Sequence, residues 1–164
     1  MKSQAVLHFF CGKLAAGKST LSKKVALEHN AILISEDIWL AILYPTEIKS
    51  FEDYLQHSGR LKTVLFEHVN KLLTSGVSVV LDFPGNTVNQ RSWFRAICES
   101  AHADHILHYI ESTDERCRLQ LQKRNQEKPQ GSTYISETQF VEITKYFQVP
   151  STEEGFTVKK YETN

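Results

Sequence analysis

Gly12-Lys13-Leu14-Ala15-Ala16-Gly17-Lys18-Ser19 is a full G-x-x-x-x-G-K-S, preceded by an apolar run over residues 6–11 and followed by residues at helical spacing. The two glycines permit a tight turn in which successive backbone N–H groups face inward. Such a nest at a helix N-terminus favours a polyphosphate. In this pattern Lys18 reaches the β- and γ-phosphates and the Ser19 hydroxyl holds Mg²⁺. A strand that feeds this turn and a helix that leaves it form the opening of a parallel α/β fold.

Outward from this stretch the chain alternates. Residues 6–11 read as a central buried strand, and Leu21, Val25 and Ala26 mark a helix from Lys18 that Asn30 ends. Residues 31–34 and 77–81 give two further buried strands. Between them Leu61, Val64, Leu65, His68, Val69 and Leu72 form one face of a helix of about four turns, with Gly76 as its stop. Trp93, Phe94, Ile97 and Cys98 mark a helix, residues 106–110 a fourth strand, and residues 156–158 a last one. Ser112 and Glu115 spell a capping box that opens a helix through about Asn125, and Ser136 and Gln139 spell a second. That second helix carries Phe140, Ile143 and Phe147 and closes at Pro150. Strands and helices in this order predict right-handed crossovers and a parallel sheet with helices on both faces. Residues 44–59 and 126–133 fall outside the rhythm and are expected as lid or insert segments at the carboxyl edge of the sheet, where ligands bind.

The same topology delivers other chemistry to that edge. Ser35-Glu36-Asp37 follows the second strand, and a carboxylate there can take the proton of an acceptor hydroxyl. Asp37 is the first candidate and Glu36 the reserve; a helix cap is the structural alternative for Asp37. Val79-Val80-Leu81-Asp82 is an apolar run with a terminal carboxylate, suited to bind Mg²⁺ with Ser19 or to touch the acceptor. Arg124 and Lys128, beside the irregular 126–133 stretch, are candidates to close over a transferring phosphoryl group. Arg91 is a candidate substrate contact or a structural ion pair, and Trp39 a core or pocket wall. Lys13 stands where some dimeric ATPases carry a lysine that reaches the partner's nucleotide; with Leu14 and Ala15 after it in place of Gly, it reads as an exposed loop lysine. His102, His105 and His108 invite a zinc reading, but alternate strand residues face opposite ways, so His105 and His108 do not readily share a metal.

Composition bounds the rest. At roughly 150 residues per domain, 164 residues predict one domain over 1–164, and 41% hydrophobic content supplies a core. Nineteen Lys plus Arg balance nineteen Asp plus Glu, so no general attraction to polyanions is written into the chain. Three dispersed cysteines, Cys11, Cys98 and Cys117, fit a reducing, cytoplasmic compartment. No apolar run approaches the 18 residues or so of a membrane span, and no Asn-Lys-x-Asp guanine motif is present.

Together, the loop from Gly12 to Thr20, Ser35-Glu36-Asp37, the Val79 to Asp82 strand with Arg91 after it, Gln122-Lys123-Arg124-Asn125, and Phe147 to Glu154 with Pro150 and Glu153 resemble the small P-loop kinases that include polynucleotide 5′-hydroxyl kinase, zeta-toxin-like and chloramphenicol-phosphotransferase-like proteins. The resemblance implies a P-loop NTPase fold with a five-stranded parallel sheet and a small lid, and ATP- and Mg²⁺-dependent phosphorylation of a hydroxyl. It implies Asp37 as the base, Lys18 and Arg124 as catalytic cations, and residues 12–20 with Arg124 and Lys128 at the nucleotide. The acceptor falls to Asp37, Trp39, Asp82 and Arg91, and the metal to Ser19 and Asp82. Polynucleotide kinases place an Arg three residues after the base to hold an acceptor phosphate; here that residue is Leu40. The expected acceptor is therefore a small molecule, with a nucleic-acid end and a non-catalytic nucleotide switch as the alternatives.

Overall fold

The computed structural model describes residues 4–163. The chain runs β1 (Val6–Gly12), α1 (Lys18–Glu28), β2 (Ile32–Ser35), α2 (Glu36–Leu43), α3 (Phe51–Thr74), β3 (Val79–Asp82), α4 (Val88–Ala101), β4 (Asp104–Ser112), α5 (Asp114–Glu127), α6 (Glu137–Thr144), a 3₁₀ turn (Thr152–Glu154) and β5 (Val158–Thr163). The five strands form one parallel sheet in the order β2-β3-β1-β4-β5. This is the expected architecture. β1 lies in the middle, with Leu7 opposite both Val79 and His105.

Both faces of β1 are covered, which is why residues 6–11 read as an apolar run with little alternation. On one face Leu7, Phe9, Val79, Leu81 and Leu107 pack with Leu61, Leu65, Val69 and Leu73 of α3 and with Phe94 and Ile97 of α4. On the other, Phe10 and Val80 meet Val25 and Ala26 of α1. A smaller cluster joins Cys117 and Leu121 of α5 to Phe140 of α6. Among the described residues no helix is long and apolar enough to cross a membrane.

Several expected boundaries move. Residues 51–59 are not a loop: Ser50 caps α3 by accepting from the Asp53 N–H at 3.0 Å, Glu52 and Asp53 suit its positive end, and Gly59 sits inside the helix with open space around it. Only 44–50 of the 44–59 segment lies outside a helix. The cap of α5 is Thr113, not Ser112, which ends β4. The second capping box, Ser136 with Gln139, forms as read, but α6 stops at Thr144; Phe147 lies beyond it and stacks on Tyr109. The last strand starts where residues 156–158 were expected to end it.

Candidate functional site

The turn between β1 and α1 takes its shape from two residues with positive φ, Gly17 at 106° and Ala15 at 63°. The first suits glycine, while Ala15 bears a strain that the surrounding contacts hold in place. Leu14, Ala15 and Ala16 pack on the Cys117, Leu121 and Phe140 cluster, so α5 and α6 support the loop from outside the sheet. As the N-cap of α1, Gly17 supplies no side-chain acceptor for the helix's first N–H groups, an end suited to an anionic ligand. Lys18 folds back over the loop, its Nζ donating to the carbonyls of Gly12 and Lys13. Burial pushes its pKa down to about 8. Lys13 is not a free loop lysine: its Nζ lies 2.7 Å from Asp114, at the start of α5.

The pairing of β2 with β3 sets Ser35 opposite Asp82 at the carboxyl edge. Asp82 Oδ2 accepts from the Ser19 hydroxyl at 2.9 Å and from Ser35 at 3.5 Å. The two residues expected to hold Mg²⁺ therefore meet, and a hydroxyl with a carboxylate is a hard oxygen set suited to a cation that keeps water and phosphate as its remaining ligands.

Glu36 and Asp37 open α2 and part company there. Glu36 is buried, and its two oxygens accept from Tyr54 at 2.5 Å and Ser58 at 2.7 Å, both on α3. The carboxylate of Glu36 is thus a pin between helices. Asp37 keeps an open side to solvent. Protein packed around the rest of it, with Glu36 and Asp82 adding repulsion, raises its pKa to about 6, against the pull of Arg124 and Lys18.

Arg124 lies near the end of α5, where burial lowers its pKa against the opposing pull of Asp37. With Asn125, Lys128, Ser132 and Tyr134 it lines a cleft of about 160 Å³. Lys128 caps α5 in the left-handed region. The 126–133 segment reaches α2: a Cβ on Gly131 would stand 3.0 Å from the backbone carbon of Asp37. Sequence spacing puts Gly131 in an irregular stretch but says nothing of what lies beneath it.

Two expected acceptor contacts sit elsewhere than the reading required. Arg91 is a correction. Its guanidinium is fully buried, with Nε 2.8 Å from Glu154, Nη2 3.2 Å from the same carboxylate and Nη1 donating to the Gly85 carbonyl at 2.9 Å. The side chain is committed to the fold. Trp39 lies on α2, partly exposed, and the 100° of rotation per helical residue sets it on the side of α2 away from Asp37. Thr20 is an exposed residue in the first turn of α1. His105 and His108 face opposite sides of β4: the first contacts Phe9 and Phe156, the second Phe10 and His8.

Comparison with known proteins agrees with this fold. An AAA domain family model matches residues 7–150. No curated protein matches the sequence. Among solved structures, a candidate kinase from Chloroflexus aurantiacus J-10-fl superposes with a TM-score of 0.75 at 16% identity, covering 99% of this chain and 87% of that one. Chaetomium thermophilum Kti12, solved with ADP-AlF3, gives 0.68 at 14% identity over 96% and 88%. Mycobacterium tuberculosis APS kinase CysC, solved with AMPPNP and APS, gives 0.62 at 18% identity over 97% and 88%. At these identities the likeness is one of fold, and that fold is the P-loop NTPase fold.

Proposed function

The chain belongs to the AAA domain family, and from that premise we propose that it is an ATP- and Mg²⁺-dependent kinase that transfers a phosphoryl group to a hydroxyl of a small molecule. The observation that carries this reading is Asp37. It is a carboxylate at the carboxyl edge of the sheet, open on one side, and within the electrostatic reach of Lys18, Asp82 and Arg124.

The residues divide the work as follows. The N–H groups of residues 13–19 and Lys18 bind and orient the polyphosphate. Ser19 and Asp82 hold Mg²⁺, which supplies charge neutralisation at the phosphate oxygens. Asp37 accepts the proton of the acceptor hydroxyl as its oxygen attacks the γ-phosphorus, and the bond to the β-γ bridging oxygen breaks to release ADP. Arg124, with Lys128, closes over the transferring group and excludes water.

A small acceptor is favoured over a polynucleotide by Leu40. It is buried in the core at 4% exposure and offers no charge to an acceptor phosphate. The zero net charge points the same way. The test is single-turnover transfer from labelled ATP to pooled small hydroxyl compounds and, in parallel, to RNA and DNA ends. Label on a small compound is the expected result. Label on a nucleic-acid end, with affinity falling steeply in salt, overturns the acceptor assignment; tight nucleotide binding with no transfer overturns the kinase reading itself.

A further inference from the structure

The loop after β3 leaves Asp82 as Phe83-Pro84-Gly85-Asn86-Thr87 and turns back under β1. Gly85 packs so closely that a Cβ there would overlap the Phe10 carbonyl oxygen. This approach sets the next residue beside the phosphate-binding turn, where Asn86 Oδ1 accepts from the Gly12 N–H at 3.0 Å. Asn86 is in turn held from two directions. Its N–H donates to Gln90 Oε1 at 2.8 Å, and its carbonyl accepts from the Gln148 N–H at 2.8 Å. Gln148 Oε1 accepts from the Val88 N–H, at the first residue of α4. A few residues on, Glu154 holds Arg91, and Arg91 holds the Gly85 carbonyl. Every link is a directed hydrogen bond or a buried ion pair, and the chain of links ends on the first glycine of the phosphate loop.

We infer that Asn86 is a positioning residue for nucleotide binding, fixing the amide at which the phosphate loop leaves β1, and that the segment over residues 148–154 holds Asn86 in place. The inference rests on the nucleotide-binding part of the function proposed above. Its physical basis is preorganisation: a loop already fixed in its binding shape loses less freedom when the ligand arrives. Asn86 lies four residues after Asp82, so one short loop connects the β3 carboxylate to the first glycine of the turn.

The test combines a ligand-free and a ligand-bound measurement. Hydrogen exchange of the Gly12 amide, read by NMR, is expected to accelerate at least tenfold in Asn86→Ala and to be restored in Asn86→Asp, which keeps a side-chain oxygen at that place. The dissociation constant for Mg-ADP, read by calorimetry, is expected to rise about tenfold in Asn86→Ala. In Gln148→Ala, where an exposed side chain is shortened, it is expected to rise severalfold with the melting temperature of the free protein nearly unchanged. The double variant should fall short of the product of the two effects, because Gln148→Ala loses the Val88 bond, keeps its backbone N–H to Asn86, and so acts on Gly12 only through Asn86. Unchanged Gly12 exchange and unchanged Mg-ADP affinity in both single variants would overturn the inference while leaving the nucleotide assignment intact. A wild-type protein that binds no Mg-ADP sinks the proposed function instead, and the exchange measurement still judges the contact. If Asn86→Ala does not fold, Gln148→Ala decides.

Discussion

Glu36 and Asp37 are neighbours in sequence with unlike environments, and the reason is rotation about a helix. Successive helical residues stand 100° apart. One carboxylate therefore enters the α2–α3 contact, where Tyr54 and Ser58 occupy it, while the other stays at the cleft. No local feature of Ser35-Glu36-Asp37 distinguishes the two, because the donors that claim Glu36 come from a helix start that the sequence hides. Asp37→Asn is expected to retain Mg-ATP binding and lose transfer by roughly 10²-fold or more, the usual scale of general-base catalysis. The carboxyl must be ionised to take a proton, so kcat/KM in wild type should rise with pH through about 6 and fall again above about 8, where Lys18 loses its charge. That ascending limb should vanish in the variant; a limb that persists assigns the titration to another group. Lys18→Ala is expected to abolish the thermal stabilisation that Mg-ATP gives wild type, as measured by differential scanning fluorimetry. Stabilisation equal to wild type would remove Lys18 from the nucleotide.

At the scale of elements, the legible parts were those whose signal is local. The phosphate loop is specified by spacing alone, the four strands that begin before residue 110 by apolar runs, and α6 by its capping box. The start of α3 was hidden because Phe51 and Leu55 face solvent and Gly59 interrupts the helical pattern. The sequence leaves Arg91 between a substrate contact and an ion pair for a different reason. Its partner, Glu154, is 63 residues away and belongs to a 3₁₀ turn with no periodicity to announce it. Removing one partner of a buried pair leaves the other charge uncompensated, so Arg91→Ala should lower unfolding free energy by about 3–5 kcal/mol in urea titrations. Burial alone would raise the Glu154 pKa, but the hydrogen bonds from Arg91 and the Ser151 N–H outweigh it and hold the carboxyl below the usual range. Its contribution is thus complete above the ordinary Glu value near 4.5 and lost as pH falls through the lower folded value. Glu154→Gln should flatten the stability profile on that acid side; an unchanged profile would show the pair to be uncoupled from acid unfolding.

Across the whole molecule, the sheet carries a polar seam through its core. His8 Nδ1 lies 2.9 Å from His108 Nε2, and His108 Nδ1 lies 2.9 Å from the Tyr161 hydroxyl, which links β1, β4 and β5. Both imidazoles are buried, and burial pushes their pKa down to about 4 for His8 and about 3 for His108. The unfolded chain, with histidines near 6.5, binds more protons than the folded one between these values, so stability falls as pH drops below 6.5. At pH 5 each ring costs at most about 2 kcal/mol relative to neutral pH. The melting temperature should therefore decline from pH 7 to 5, and His8→Gln should reduce the slope. A slope unchanged by the substitution would place the acid sensitivity elsewhere. In the sequence His8 stands alone in an apolar run and His108 in a histidine triplet, with no sign that the two meet, because their meeting depends on the register His8↔Ile106 and on strand pitch.

The central position of β1 also orders events in time. Of the five strands it is made first, yet both its neighbours come much later, β3 from Val79 and β4 from Asp104. Parallel pairing across such separations must wait for the chain between to be made and closed. The turn at Gly12 therefore spends most of synthesis without the sheet that shapes it, and the contacts from residues 148–154 reach it last. Nucleotide captured by a nascent chain would thus report that the sheet order around β1 and the contacts from residues 148–154 had formed, so the most recognisable motif matures long after its own residues are made.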